Sequence, residues 1–199
     1  MYKAIGFDYG GVLNNSKSAL PGIAKLINMP QEKLRNIYHS QNTLSNVDSM
    51  SYENLWIKIL TELGHKDKTQ QAVDHMHQQW DYTINKQVLG LIDSIKSNGY
   101  KTGLLSNNTK EVGTILRERG LEKRFDVFLI SAEIGLQKPS HEAFNVLTNS
   151  LGVMPSEMIF IDDSENSLRL SGEIGYHPIL FTGYEKLKSD LTDLNVLQP

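Results

Sequence analysis

Five polar residues sit where short apolar runs give out, and a lysine lies ahead of one such run. Asp8 closes YKAIGFD (Tyr2–Asp8), Ser106 and Asn107 end the run that begins YKTGLL, and Asp162 and Asp163 end MIFIDD. Lys138 lies in GLQKP, ahead of the helical pattern that leads to the last of these runs. In an open parallel sheet, ligands bind beyond the carboxyl ends of the strands, which is where these residues fall. Three carboxylates gathered there repel: two unit charges about 4 Å apart cost on the order of 4 kcal/mol at an effective dielectric near 20. Such a cluster calls for positive charge. A hard divalent cation such as Mg²⁺ takes carboxylate and carbonyl oxygen, and Lys138 supplies a further cationic group. Taken one at a time, each residue has a plainer reading. Asp8 suits a strand-to-loop turn, Ser106-Asn107 are ordinary turn residues, Lys138 suits a solvated surface, and Asp162-Asp163-Ser164 suits a helix N-cap. Their joint placement at element ends favours a site.

The elements that would position them alternate. Apolar runs at Tyr2–Asp8, Tyr100–Ser106, Asp126–Ser131, Met158–Asp162 and Pro178–Phe181 read as strands buried on both faces. Helical patterns follow at Thr109–Arg119, Ser140–Leu151, Ser164–Ile174 and Lys186–Leu194, with Ser140 and Ser164 as N-caps and Gly120 and Gly152 as stops. Strand–helix alternation predicts an α/β fold with a doubly wound parallel sheet. Between Asn14 and Thr83 the rhythm breaks. Leu20–Asn28, Pro30–Ser40, Ser51–Leu63 and Lys68–Trp80 all read as helices, the third with Leu55, Ile59 and Leu63 on one face. A fifth helix, Gln87–Ser97, leads back to the sheet. The expected organisation is an α/β core over 1–13 and 86–199, with a small all-helical insertion over 14–85 after the first strand.

These same residues carry a family resemblance. FDYGGVL resembles the first motif of the haloacid-dehalogenase (HAD) superfamily of hydrolases, LLSN the second, Lys138 before Pro139 the third, and IFIDDS the fourth, in the family's order. The resemblance implies a phosphatase with Asp8 as nucleophile, forming an aspartyl-phosphate that water then releases. It implies Mg²⁺ held by the Asp8 carboxylate, the Gly10 backbone carbonyl and Asp163, with Asp162 one step further out. Ser106, Asn107 and Lys138 would stabilise charge on the phosphoryl oxygens, helped by the backbone amides of Tyr9 and Gly10. The 14–85 insertion matches the family's helical cap, which closes over the site and selects substrate. Its His39, His65, His75, His77 and Arg35 are candidate substrate contacts, although surface or packing roles suit them better, and Trp56 and Trp80 suit packing.

Two positions depart from the family. Most HAD phosphatases carry a second Asp two residues after the nucleophile, which protonates the leaving oxygen and activates water; here Gly10 stands there. Losing such a group costs roughly 10²–10⁴-fold. A sub-group with Gly at this position includes sugar-1-phosphatase-like enzymes, whose leaving groups need less protonation. Ser167 stands where many relatives carry Asn or Asp, with Asn166 one residue early. The expected activity is hydrolysis of a small phosphorylated metabolite, a sugar phosphate being one candidate. The alternatives are a catalytically impaired binding or regulatory protein and a metal-independent 2-haloacid dehalogenase, the latter disfavoured by adjacent acids at Asp162-Asp163.

Composition narrows the partners. The chain has no cysteine, so thiolate metal sites, disulfides and cysteine nucleophiles are excluded. Net charge is −3 and the densest basic cluster (Arg117, Arg119, Lys123, Arg124) is interleaved with acids, a solvated helix face rather than a nucleic-acid surface. No stretch approaches 18 apolar residues, so neither a membrane span nor a signal peptide is expected, and a cytoplasmic setting follows. Oligomeric state stays open.

Overall fold

The computed structural model describes residues 1–14, 20–79 and 84–198, save the side chains of His77 and Gln79. Five strands form one all-parallel sheet: β1 (Ala4–Phe7), β2 (Lys101–Ser106), β3 (Val127–Ile130), β4 (Met158–Asp162) and β5 (His177–Leu180), in the order β3-β2-β1-β4-β5. From β1 the chain winds outward through β2 and β3, then crosses back to β4 and β5 on the other side. The winding direction therefore reverses between β1 and β4, the point where open α/β sheets hold their ligands.

Burial explains the strand sequences. Every residue of β1 and β4 is buried, whereas β5 alternates exposed and buried positions. On one face, Ile5, Phe7, Leu104, Ile159 and Ile161 pack against Val88, Ile92, Leu187 and Leu191 of helices α6 (Lys86–Ser97) and α12 (Tyr184–Asp193). On the other, Ala4, Leu105, Met158 and Phe160 meet Phe144, Leu147 and Leu151 of α9 (His141–Leu151). Gly6 and Gly103 lie side by side in register, and a Cβ on Gly103 would come within 2.8 Å of Leu147, so the bare backbone lets α9 settle close. Pro178 sits in the edge strand β5, where a missing N–H is tolerated.

The expected helices around the sheet form with small shifts. α7 (Lys110–Glu118) is capped by the Thr109 side chain and ends ahead of left-handed Gly120; α9 is capped by Ser140 and ends at left-handed Gly152. Ser164–Ile174 departs from the expectation of one helix. It folds as two single turns, α10 (Glu165–Leu168) and α11 (Ser171–Ile174), broken at Leu170. Leu168 is the buried residue of α10 and α11 buries none, so no apolar stripe rewards a continuous helix, and Gly172 weakens the second half. A short α8 (Ser131–Ile134), not anticipated, follows β3 directly.

Between β1 and α6 the described residues form no strand, only helices: α1 (Leu20–Leu26), α2 (Gln31–Gln41), α3 (Thr43–Asn46), α4 (Tyr52–Glu62) and α5 (Thr69–Gln79). They bury a separate apolar cluster that includes Ile23, Leu34, Leu55, Ile59 and Leu60. Trp56 is fully buried in it and stacks on Tyr38, ring centroids 5.5 Å apart and 11° from parallel, a packing role as expected. Trp80 lies outside the described residues. Where the chain leaves and re-enters the core the two passages pair: Asn14 bridges Ile84 antiparallel, and the Asn85 N–H donates to the Leu13 carbonyl at 2.8 Å. No helix among the described residues is long and apolar enough to cross a membrane.

Candidate active site

Asp8 follows directly on β1, its N–H donating to the Ile161 carbonyl of β4 at 2.9 Å. Asp162 ends β4 and Asp163 follows it, so the three acids stand across the β1–β4 reversal. One carboxylate oxygen from each lies within 4.8 Å of the others. Lys138 reaches into the same place from the loop before α9. Its Nζ is 2.8 Å from Asp8 Oδ1 and 2.6 Å from Asp162 Oδ2. The Lys138 side chain is only 1% exposed and that of Asp162 0%, so these are interior charges rather than a surface pair. Burial alone would lower the Lys138 pKa, but Asp8 and Asp162 outweigh it and hold the ammonium above its usual range. Burial, reinforced by the Asp8 charge, pushes the Asp162 carboxyl up to about 6 against the pull of Lys138; Asp163 is raised by the same two causes.

Each group is held by its neighbours. The Tyr9 N–H donates to Asp8 Oδ1 at 2.7 Å, and the Ser164 N–H donates to Asp162 Oδ1 at 2.9 Å. With Oδ2 on Lys138, Asp162 has both oxygens engaged by the protein, whereas Asp163 is exposed. Three carboxylates against one ammonium leave an excess of negative charge within a few ångströms. An all-oxygen donor set with that charge suits a hard divalent cation.

Ser106 ends β2 and is buried, its Oγ accepting from Asn108 Nδ2 at 3.0 Å. Asn107 does something its sequence position did not indicate. Its Nδ2 donates to the Lys138 carbonyl at 3.0 Å, and its Oδ1 accepts from the Lys138 N–H at 2.8 Å. Both ends of the amide thus grip the backbone of the lysine, and Asn107 fixes Lys138 from behind. Asn108 and Ser131 were also missed. The Ser131 Oγ accepts from the Asn108 N–H and donates to the Asn108 carbonyl, tying the β2–α7 loop to α8. The Asn-Asn doublet after LLS was the visible signal.

The two glycines after Tyr9 differ sharply. Gly11 has φ +70°, and a Cβ there would fall 1.9 Å from Asp163 Oδ2. Only glycine lets this turn pass beneath Asp163. At Gly10 a Cβ would meet nothing within 4 Å. Glycine is not sterically required at that position.

Two of the insertion's candidate contacts, His39 and His75, touch other residues of the insertion. His39 is exposed and packs edge-on to Tyr38, its pKa lowered by burial and by Arg35; His75 lies against Gly22 of α1. His65 is half-buried at the end of α4, and the His77 side chain lies outside the described residues. In the basic cluster, Arg117 pairs with Glu133 and Glu122 and Arg124 with Asp93, as a solvated, acid-laced face would.

Residues 2–169 match the model of the haloacid dehalogenase-like hydrolases. The chain belongs to that family. Among the curated proteins it is similar to, bifunctional epoxide hydrolase 2 of Mus musculus is 27% identical over 103 residues, covering 49% of this chain and 19% of that protein. The chain thus spans only a small part of the first curated relatives it matches. D-ribitol-5-phosphate phosphatase of Bacteroides thetaiotaomicron is 24% identical over 189 residues, covering 88% of this chain and 90% of that one. Among solved structures, the HAD family enzyme bt-2542 of the same organism, in complex with magnesium and inorganic phosphate, superposes with a TM-score of 0.70 at 20% identity, covering 90% of this chain and 93% of that one. At that identity the likeness speaks to the fold.

Proposed function

We propose that this HAD hydrolase is a Mg²⁺-dependent phosphatase that cleaves a small phosphate ester through a phosphorylated Asp8. The observation that carries the reading is the meeting of Asp8, Asp162 and Asp163 around Lys138 at the sheet's reversal point. The magnesium and phosphate bound by the similar bt-2542 enzyme support it. Asp8, Asp163 and the Gly10 carbonyl would hold the cation, with Asp162 behind them; when bound, Mg²⁺ supplies charge to offset the phosphoryl oxygens.

The chain's own groups then have distinct tasks. Asp8 Oδ1 is fixed by the Tyr9 N–H and Lys138, which sets the carboxylate plane and leaves its other oxygen to attack phosphorus in line. The ester P–O bond breaks with its electron pair on the leaving oxygen. Water then attacks phosphorus, the bond to Asp8 breaks, and inorganic phosphate departs with the carboxylate restored. Ser106 and Lys138 stabilise charge on the phosphoryl oxygens, and Asn107 serves by holding Lys138.

Gly10 narrows the substrate. It offers no proton to the leaving oxygen, so substrates that depart as weakly basic groups, such as sugar-1-phosphates or acyl phosphates, are favoured over alkyl phosphates. A Cβ at Gly10 would meet nothing within 4 Å, so Gly10→Asp begins without a clash at that atom. That variant is expected to speed hydrolysis of a primary alkyl phosphate by roughly 10²-fold or more relative to an anomeric one. Wild-type protein that cleaves both classes equally fast would sink the leaving-group reading while leaving the phosphatase reading standing.

A further inference from the structure

The loop that carries Lys138 is held from two sides, and the second hold comes from the helical insertion. Gln137 immediately precedes the lysine. Its Oε1 accepts from Asn46 Nδ2 at 3.2 Å, and its Nε2 donates to Thr43 Oγ1 at 2.9 Å. Both ends of this amide therefore engage α3. Asn46 is buried, although it is a polar residue on a short helix far along the chain from the sheet. A little further on, Asp48, in the left-handed conformation at φ +58°, pairs with Lys110, the first residue of α7. The segment Thr43–Asp48 thus lands on the loop that carries Lys138 and on the start of α7, and on the far side Asn107 grips Lys138 by both backbone groups.

We propose that Gln137 is a positioning residue that couples closure of the helical insertion to the placement of Lys138. When the Thr43–Asp48 segment is docked, Gln137 is fixed at both ends of its amide, and the backbone of Lys138 is pinned between Gln137 and Asn107. When it lifts away, Gln137, Thr43 and Asn46 exchange these bonds for water, and one of the two holds on the lysine loop is lost. The exchange is nearly balanced, because a hydrogen bond that water can replace shifts an equilibrium by only about a factor of five. The exposed Lys110–Asp48 pair adds less. A near-balanced clasp is one that a bound substrate can tip. Thr43 and Asn46 would have no such effect if they only decorated the insertion's surface, and an ordinary packing role for Gln137 would not depend on Asn46.

Two readouts separate these cases, and the first does not depend on the phosphatase reading. The chain has no cysteine, so Asp67→Cys and Lys123→Cys place exactly two spin labels, one on the insertion and one on the core, both at exposed positions. Pulsed electron-spin distance measurement is expected to give a shorter, narrower distribution in the otherwise wild-type protein than with Gln137→Ala added. Indistinguishable distributions would overturn the clasp. The second readout rests on the proposed activity: kcat/KM for p-nitrophenyl phosphate in a double-mutant cycle. Gln137→Ala and Asn46→Ala are each expected to lower it about five- to tenfold, and the double variant by little more than either alone. Additive losses, or losses that merely follow the melting temperature, would contradict the coupling. Reversing the ion pair (Lys110→Asp with Asp48→Lys) is expected to restore what either single reversal loses; no recovery would remove that pair from the clasp. If wild-type protein released no p-nitrophenol the activity reading would fall, and the spin-label result would still decide the clasp.

Discussion

The carboxyl end of the sheet and the interior of the helical insertion are filled with opposite kinds of residue. At the sheet end, interior charge is held by charge: Lys138 lies between Asp8 and Asp162, and backbone amides of Tyr9 and Ser164 complete the set. Inside the insertion, Ile23, Leu34, Leu55, Trp56 and Ile59 form a cluster with no ionised group among its buried members. The first kind of interior is costly unless every partner is present, and it is specific. The second is stabilised by apolar area alone and tolerates exchange among residues of similar volume. The clustered acids and their lysine thus sit where substitution is least tolerated, and the helical insertion rests on the more forgiving packing.

The largest effect expected from this contrast is at Lys138. Lys138→Ala removes the ammonium that lies against Asp8 and Asp162 and should cost about 3–5 kcal/mol of unfolding free energy, read by urea titration. A loss below about 1 kcal/mol would mean that the acids are relieved in some other way. Ile59→Ala, in the insertion's cluster, should cost about 2–5 kcal/mol for a buried aliphatic truncation. It should leave Mg²⁺ affinity, measured by calorimetry, unchanged; altered affinity would show that the two interiors are not separable. Between the adjacent glycines, Gly11→Ala should destabilise by about 1–3 kcal/mol and weaken Mg²⁺ binding, because its Cβ collides with Asp163 at a positive φ. Gly10→Ala should stay within about 0.5 kcal/mol of wild type.

The smallest expected effect is the pH dependence of metal stabilisation. The raised Asp162 and Asp163 carboxyls mean that the metal-free fold favours their neutral forms. For Asp162 that contribution to stability is fully present below the ordinary Asp pKa and is lost as pH rises through about 6; Asp163 contributes in the same direction. Mg²⁺ needs the ionised forms, so protons compete with it. The rise in melting temperature on adding Mg²⁺ should therefore be small near about pH 5 and larger near about pH 7.5. An equal rise at both would place the cation elsewhere.

Much of this was legible in the sequence because it depended on order along the chain. Asp8, Ser106 and Asp162 end apolar runs, so a parallel sheet automatically brings them to one edge. The stops at Gly120 and Gly152 and the caps at Ser140 and Ser164 are local devices and appear where local rules put them. What escaped depended on contacts between distant segments. Asn107 grips Lys138 from 31 positions away, and Gln137 meets Asn46 across 91. Gly11 is glycine because Asp163 passes over it, a reason invisible in the GG pair itself. The helix expected over Ser164–Ile174 split because burial, rather than propensity, decides whether a helix continues, and the sequence shows propensity first.

The central claim is that Asp8 is the nucleophile that takes the phosphoryl group in a covalent step, and it can be read directly. Protein incubated with Mg²⁺ and p-nitrophenyl phosphate, quenched in acid during turnover and digested, should show one added phosphoryl group on the peptide that contains Asp8. The adduct should be released by hydroxylamine and absent when Mg²⁺ is chelated. Asp8→Asn should lack it and lose at least about 10³-fold in turnover. Turnover that persists in Asp8→Asn, or a phosphoryl group found on another residue, would contradict the account.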